Sequence, residues 1–137
     1  MRLLLDTHIL LWAVGMSARL PAVMRQALEN PKNEVYYSAV NLWEIAIKNG
    51  LNRPDFQINP DQLLAILPEM DFAELPITAR HATAVARLPT LHRDPFDRLL
   101  VAQSQTEPMI LLTDDELLGQ YGGNVQLIHS SPSFLSR

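Results

Sequence analysis

Five short apolar runs, "LLL" at 3–5, "EVYY" at 34–37, "FAEL" at 72–75, "MILL" at 109–112 and "VQLI" at 125–128, recur along the chain with helical patterns between them. Strands separated by helices close into right-handed crossovers. The alternation therefore predicts an α/β fold, a twisted parallel β-sheet flanked by α-helices. Helix boundaries are punctuated: Pro21 opens one helix, Ser38 caps the next and Gly50 ends it, Asn59 and Pro60 open a fourth, Thr78 a fifth, and Asp94 with Pro95 a sixth. The stretch 51–60 reads as a loop, and with no repeat, charge run or low-complexity tract, one domain over 1–137 is expected, with a short tail from about 130.

Arg2 ahead of leucines imitates a signal peptide, but Asp6 and His8 split the apolar stretch, which reads instead as the first strand and helix. No segment is long enough to cross a bilayer. The chain has no cysteine, which excludes disulfides and thiolate metal sites and fits a cytoplasmic location. A metal here takes oxygen or histidine ligands. The net charge of −4 argues against a broadly basic nucleic-acid surface, although nine of the eleven basic residues are arginines, the better phosphate binder.

The acids are the informative feature. In an open parallel sheet, ligands bind beyond the carboxyl ends of the strands, near the point where strand order reverses. Asp6 follows the first strand, and Asp114 and Asp115 follow "MILL" through Thr113. Glu44 in "SAVNLWEIAIKNG" and Asp97 in "HRDPFDRLLVAQ" lie near helix N-termini that face the same edge. Each also has a plain structural explanation. Asp6 suits a helix cap, as does Asp94 before Pro95, with Asp97 in a capping-box-like position. Glu44 lies about 40° from Val40 on the helical wheel, at the border of the apolar stripe, and suits an exposed i,i+4 pair with Lys48. Residues Thr113 to Glu116 suit the first turn of a helix. Taken together these explanations weaken, because two charges about 4 Å apart at an effective dielectric of 20 repel by about 4 kcal/mol. Proton uptake or a hard cation relieves such crowding, and oxygen ligands suit Mg²⁺ or Mn²⁺.

The ordered set "LLLDTHILLWA", "SAVNLWEIAIKNG", "HRDPFDRLLVAQSQ" and "LLTDDELLGQYGG" resembles PIN-domain ribonucleases, specifically the VapC-like toxins of bacterial type II toxin–antitoxin pairs, over nearly the whole chain. By position, the resemblance implies a four-carboxylate catalytic and metal site at Asp6, Glu44, Asp97 and Asp115, with Thr113 beside it. Asp94 and Asp114 neighbour the matched positions and read either as caps or as partners of the ion through water. The resemblance further implies one or two Mg²⁺ or Mn²⁺ ions, hydrolysis of RNA to a 5′-phosphate and a 3′-hydroxyl, inhibition by a cognate antitoxin that covers the site, and a homodimer.

Other residues are read as structural. Trp12 and Trp43 sit in apolar helical patterns and are expected in the core rather than stacked on bases. His8, His81, His92 and His129 show no zinc-like spacing and receive no ligand role. Arg93 and Arg98 flank the third acid and suit RNA phosphates or internal counter-ions equally. Two other functions compete: a non-catalytic metal- or phosphoryl-binding signalling domain, and a PIN-like protein that binds RNA without cutting it. Against the former, Lys32 and Lys48 both lie early, where a receiver wants a lysine after a late strand, and no nucleotide-cradling motif is present.

Overall fold

A computed structural model describes residues 1–15 and 17–128, so His129 and the expected tail from about 130 lie outside the described residues. The strands are β1 (Arg2–Leu5), β2 (Glu34–Ser38), β3 (Ala73–Leu75), β4 (Ile110–Thr113) and β5 (Val125–Leu127). They form one sheet in the order β3-β2-β1-β4-β5, and every neighbouring pair is parallel. The main helices are α1 (Thr7–Val14), α2 (Ala22–Glu29), α3 (Ala39–Gly50), α4 (Pro60–Ile66), α5 (Ala79–Ala84), α6 (Pro95–Thr106) and α7 (Glu116–Gly119). All five expected strands are present, each within a residue of its expected bounds. No helix of the described residues is long and apolar enough to cross a membrane.

Strand periodicity explains the layering. Leu3 and Leu5 point to one face and meet Ile9, Leu10, Met24, Ile45 and Leu63 from α1 to α4. Leu4 points to the other face and meets Leu99, Leu100 and Leu118 from α6 and α7. A strand buried on both faces reads as an unbroken apolar run, which is why "LLL" and "ILL" do not alternate with polar residues. Each fully buried leucine stabilises the fold by roughly 1.5–3 kcal/mol. The stretch 51–60, expected as loop, contains a 3₁₀ turn at Pro54–Phe56 that sinks Phe56 into the first core.

The chain runs outward from β1 to β2 and β3, then returns to β4 and β5 on the other side of β1. The reversal therefore falls between β1 and β4. Asn41, on the first turn of α3, holds this corner together from within. Its amide donates to the carbonyl of Leu5 (3.1 Å) and to Oγ1 of Thr7 (2.9 Å), and its Oδ1 accepts from the backbone N–H of Ser38 (2.7 Å). All of these groups are buried. Asn41→Ala strands them without water, at about 2 kcal/mol. Thermal denaturation followed by circular dichroism is expected to show Tm lowered by roughly 8 °C for a chain of this size; an unchanged Tm would show that the corner does not depend on this side chain.

Candidate metal centre

Asp6 leaves the carboxyl end of β1 at the reversal point, where its backbone N–H extends the ladder to Leu112 (3.1 Å). One carboxylate oxygen caps α1 by accepting from the N–H of His8 (3.2 Å), and the other accepts a short hydrogen bond from the hydroxyl of Thr113 at the end of β4. Glu44 reaches the same edge from α3, buried at 3% exposure. Its two oxygens accept from the Thr7 hydroxyl and from the ammonium of Lys48. The expected i,i+4 pair is thus real, but it lies inside the site rather than on an exposed face. Lys48 also donates to Asp94 (3.1 Å) and lies 4.9 Å from the Phe56 ring centre. Burial opposes its charge, yet the bonds and charges of Glu44 and then Asp94 outweigh this and raise its pKa.

Asp97 sits one turn into α6. Oxygens of Glu44, Asp94 and Asp97 lie within 4.8 Å of one another, and Asp97 forms a second such group with Asp115 and His92. The capping-box expectation for Asp97 fails for a specific reason: the N–H of Asp94, which the box would use, donates instead to Nδ1 of His92 (3.1 Å). Among the described residues, the one cationic-type group within 4 Å of the Asp97 carboxylate is Nε2 of His92, at 3.3 Å. Burial, then the charges of Asp6, Asp94, Glu44 and Asp115, push the Asp97 pKa from 3.8 to about 9. Asp6 rises to about 6, chiefly through burial, against the lowering effect of the Thr113 and His8 hydrogen bonds. Asp115 caps α7 through one oxygen, accepting from Leu117 (2.9 Å), and turns the other toward His92 (3.2 Å).

The structure therefore brings Asp6, Glu44, Asp97, Asp115 and also Asp94 together, while Asp114 takes part in none of these contacts. Asp94 is both cap and cluster member: one oxygen accepts from the N–H groups of Phe96 and Asp97 while the other meets Lys48. His92, given no role from spacing, belongs to the site. Because its Nδ1 accepts from Asp94, its proton resides on Nε2, and the ring donates toward Asp97 and Asp115. It is a holder of carboxylates in this state, not an ion ligand. Arg98 is internal, donating to the carbonyls of Val85 (3.2 Å) and His92 (3.5 Å). Trp43 corrects the core expectation: it is 49% exposed and stands edge-on against Phe96, ring centres 4.7 Å apart, at the rim of the acids. Trp12 does pack against the first core. A larger cavity of about 740 Å³, lined by Arg25, Glu34, Tyr36 and Phe72 among others, contains none of the acids.

The PIN domain family matches residues 3–124. The chain belongs to the PIN domain family. Comparison with curated proteins gives no match. Among solved structures, this PIN domain is similar to VapBC2 from Rickettsia felis bound to a DNA fragment from their promoter (18% identity, TM-score 0.67, 94% of this chain and 98% of that one). It is similar also to VapBC-1 from nontypeable Haemophilus influenzae (15%, 0.66, 95% and 98%). A third similar structure is DNA-bound VapBC from Salmonella typhimurium (11%, 0.64, 96% and 99%). These likenesses concern the fold.

The donor set fits a hard divalent cation: carboxylate oxygens without sulfur, crowded enough that one acid retains its proton. The folded protein holds the Asp97 proton more tightly than the unfolded chain does. Its contribution to stability is therefore full below pH about 4 and is lost progressively as pH rises toward about 9. Asp97→Asn removes that loss. In chelator, Tm of the wild type is expected to fall from about pH 5 to about pH 8 relative to the variant, by about 4 °C for each kcal/mol of relieved repulsion. Parallel Tm curves would show that Asp97 does not carry the strain.

Proposed function

We propose that this PIN domain is a metal-dependent endoribonuclease and acts as the toxin of a toxin–antitoxin pair. The observation that carries the reading is the buried Asp97 carboxylate, surrounded by Asp6, Glu44, Asp94 and Asp115 at the sheet reversal and met, among the described residues, by the His92 ring and by no lysine or arginine. Asp6, Glu44, Asp97 and Asp115 would hold one or two Mg²⁺ or Mn²⁺ ions. Such ions supply Lewis acidity toward a phosphate and lower the pKa of water.

The chain's own residues supply the preorganisation. Thr113 and Thr7 fix the rotamers of Asp6 and Glu44 through buried hydroxyls, so little ordering is needed when the acids turn to a ligand. Lys48 offsets the charges of Glu44 and Asp94 on the α3 side, which limits repulsion of an approaching phosphodiester. His92 orients Asp97 and Asp115 on the other side. Asp97 would have to release its proton to serve as a ligand, which would couple occupancy of the site to pH.

The VapBC assemblies that share the fold support a partner protein, a cognate antitoxin. That this partner covers the acidic edge, and that the chain forms a homodimer, belong to the same proposal. The reading is tested by incubating partner-free protein with mixed cellular RNA in Mg²⁺, Mn²⁺ or chelator. Discrete cuts leaving a 5′-phosphate and a 3′-hydroxyl are expected only with metal, and Asp6→Asn or Asp97→Asn is expected to reduce them by more than about a hundredfold. Folded protein that binds the RNA without cutting it would favour the non-catalytic alternative.

A further inference from the structure

Four of the nine arginines fall within residues 80–98, and the only acids in that stretch, Asp94 and Asp97, belong to the metal centre. Two of the four, Arg80 and Arg87, share a groove of about 320 Å³ with Thr83, Gln105 and Thr106, between α5 and the end of α6. No acid lines it. Both arginines are exposed, and neither forms an ion pair among the described residues. The nearby Glu107 is engaged by Nε2 of His81 (2.5 Å). The larger cavity differs in just this respect, since Glu29, Glu34 and Asp71 accompany Arg25 there and repel a polyanion.

The groove is also tied to the metal centre. Arg98 donates to the carbonyl of His92, whose ring faces Asp97 and Asp115, and to the carbonyl of Val85, which begins the 3₁₀ turn that ends at Arg87. A strand whose reacting phosphate lies among anionic side chains needs positive anchors elsewhere along its length. Nearer the acids, Lys48 is committed to Glu44 and Asp94 and Arg98 to carbonyls, whereas Arg93, beside Asp94, is exposed and forms no ion pair among the described residues, so it is available to the same strand.

We propose that the α5–α6 groove is an RNA track in which Arg80 and Arg87 bind successive backbone phosphates of a single strand leading away from the metal centre, a substrate class that rests on the nuclease reading above. Thr83, Gln105 and Thr106 add hydroxyl and amide donors along the same wall. With no aromatic ring among the described lining residues, the track holds phosphates and does not read bases, so it contributes affinity independent of sequence.

The test is titration of a labelled single-stranded RNA of about 16 nucleotides with the full chain, in chelator so that binding is measured without cleavage, at several salt concentrations. The double variant Arg80→Ala with Arg87→Ala is expected to raise Kd about tenfold and to flatten the slope of log affinity against log salt by about 1.4, the share of two phosphates on a single strand. Arg80→Lys with Arg87→Lys restores the slope, which a merely structural role would not require. Arg19→Ala with Lys32→Ala removes the same charge elsewhere and leaves the slope unchanged. Equal Kd and slope for wild type and the alanine pair, or no binding by wild type, would overturn the track. RNA bound through the groove but never cut in metal sinks the nuclease reading and leaves the track standing; cutting with an unaltered Kd in the alanine pair does the reverse.

Discussion

The hydrogen bond from Thr113 to Asp6 joins the ends of β4 and β1 across the point where the sheet reverses direction, and the acidic edge is arranged around it. On one side the chain has gone out through β2 and β3, on the other it returns through β4 and β5, so the carboxyl ends of β1 and β4 border a crevice that no crossover covers. Right-handed connections then aim the first turns of α3 and α6 at that crevice, and the two helical acids follow. Carboxylates meet here as a consequence of topology, from segments as distant in sequence as Asp6 and Asp115.

The fold was legible in the sequence because strands buried on both faces leave unbroken apolar runs, and because capping residues mark helix starts regardless of tertiary context. The convergence of Asp6, Glu44, Asp97 and Asp115 was legible for a related reason: strand ends and helix starts fix which edge a residue occupies. What was not legible depends on depth and on contacts between elements. Trp43 belongs to a helical apolar pattern, but the pattern cannot tell whether another element covers that face, and none of the described residues buries it. His92 lies in an irregular segment without metal-ligand spacing, and its role comes from a bond to the N–H of Asp94 and from contacts to Asp97 and Asp115 on two different elements, which spacing does not reveal. The Glu44–Lys48 pair was readable as a pair; its burial was not.

Capping and membership of the cluster, which compete as explanations on sequence grounds, coincide in three residues. Asp6, Asp94 and Asp115 each spend one oxygen on backbone N–H groups at the start of a helix and present the other to Thr113, Lys48 and His92 respectively. The cap holds the side chain in one rotamer, and the helix N-terminus stabilises its negative charge. A cap is therefore an efficient way to prepare a ligand: the same bonds that start the helix fix the position of the free oxygen. Substituting such a residue removes both functions at once, which is why its effect on activity has to be read beside its effect on stability.

Asp97 and Glu44 cap nothing, and the contrast between them shows where the cluster is incomplete. Glu44 receives a hydroxyl from Thr7 and an ammonium from Lys48, so both oxygens are engaged and its burial is offset. Asp97 is also buried, though less deeply at 9% against 3%, and among the described residues it has only the His92 ring, at 3.3 Å, against four neighbouring carboxylates. Within the protein alone its charge is relieved by keeping a proton, which makes it the member of the cluster most dependent on what enters the crevice. On the proposed reading, a divalent cation held by Asp97 together with Asp6 and Asp115 would take the place of that proton, and the unfavourable state of one side chain would favour filling the whole centre.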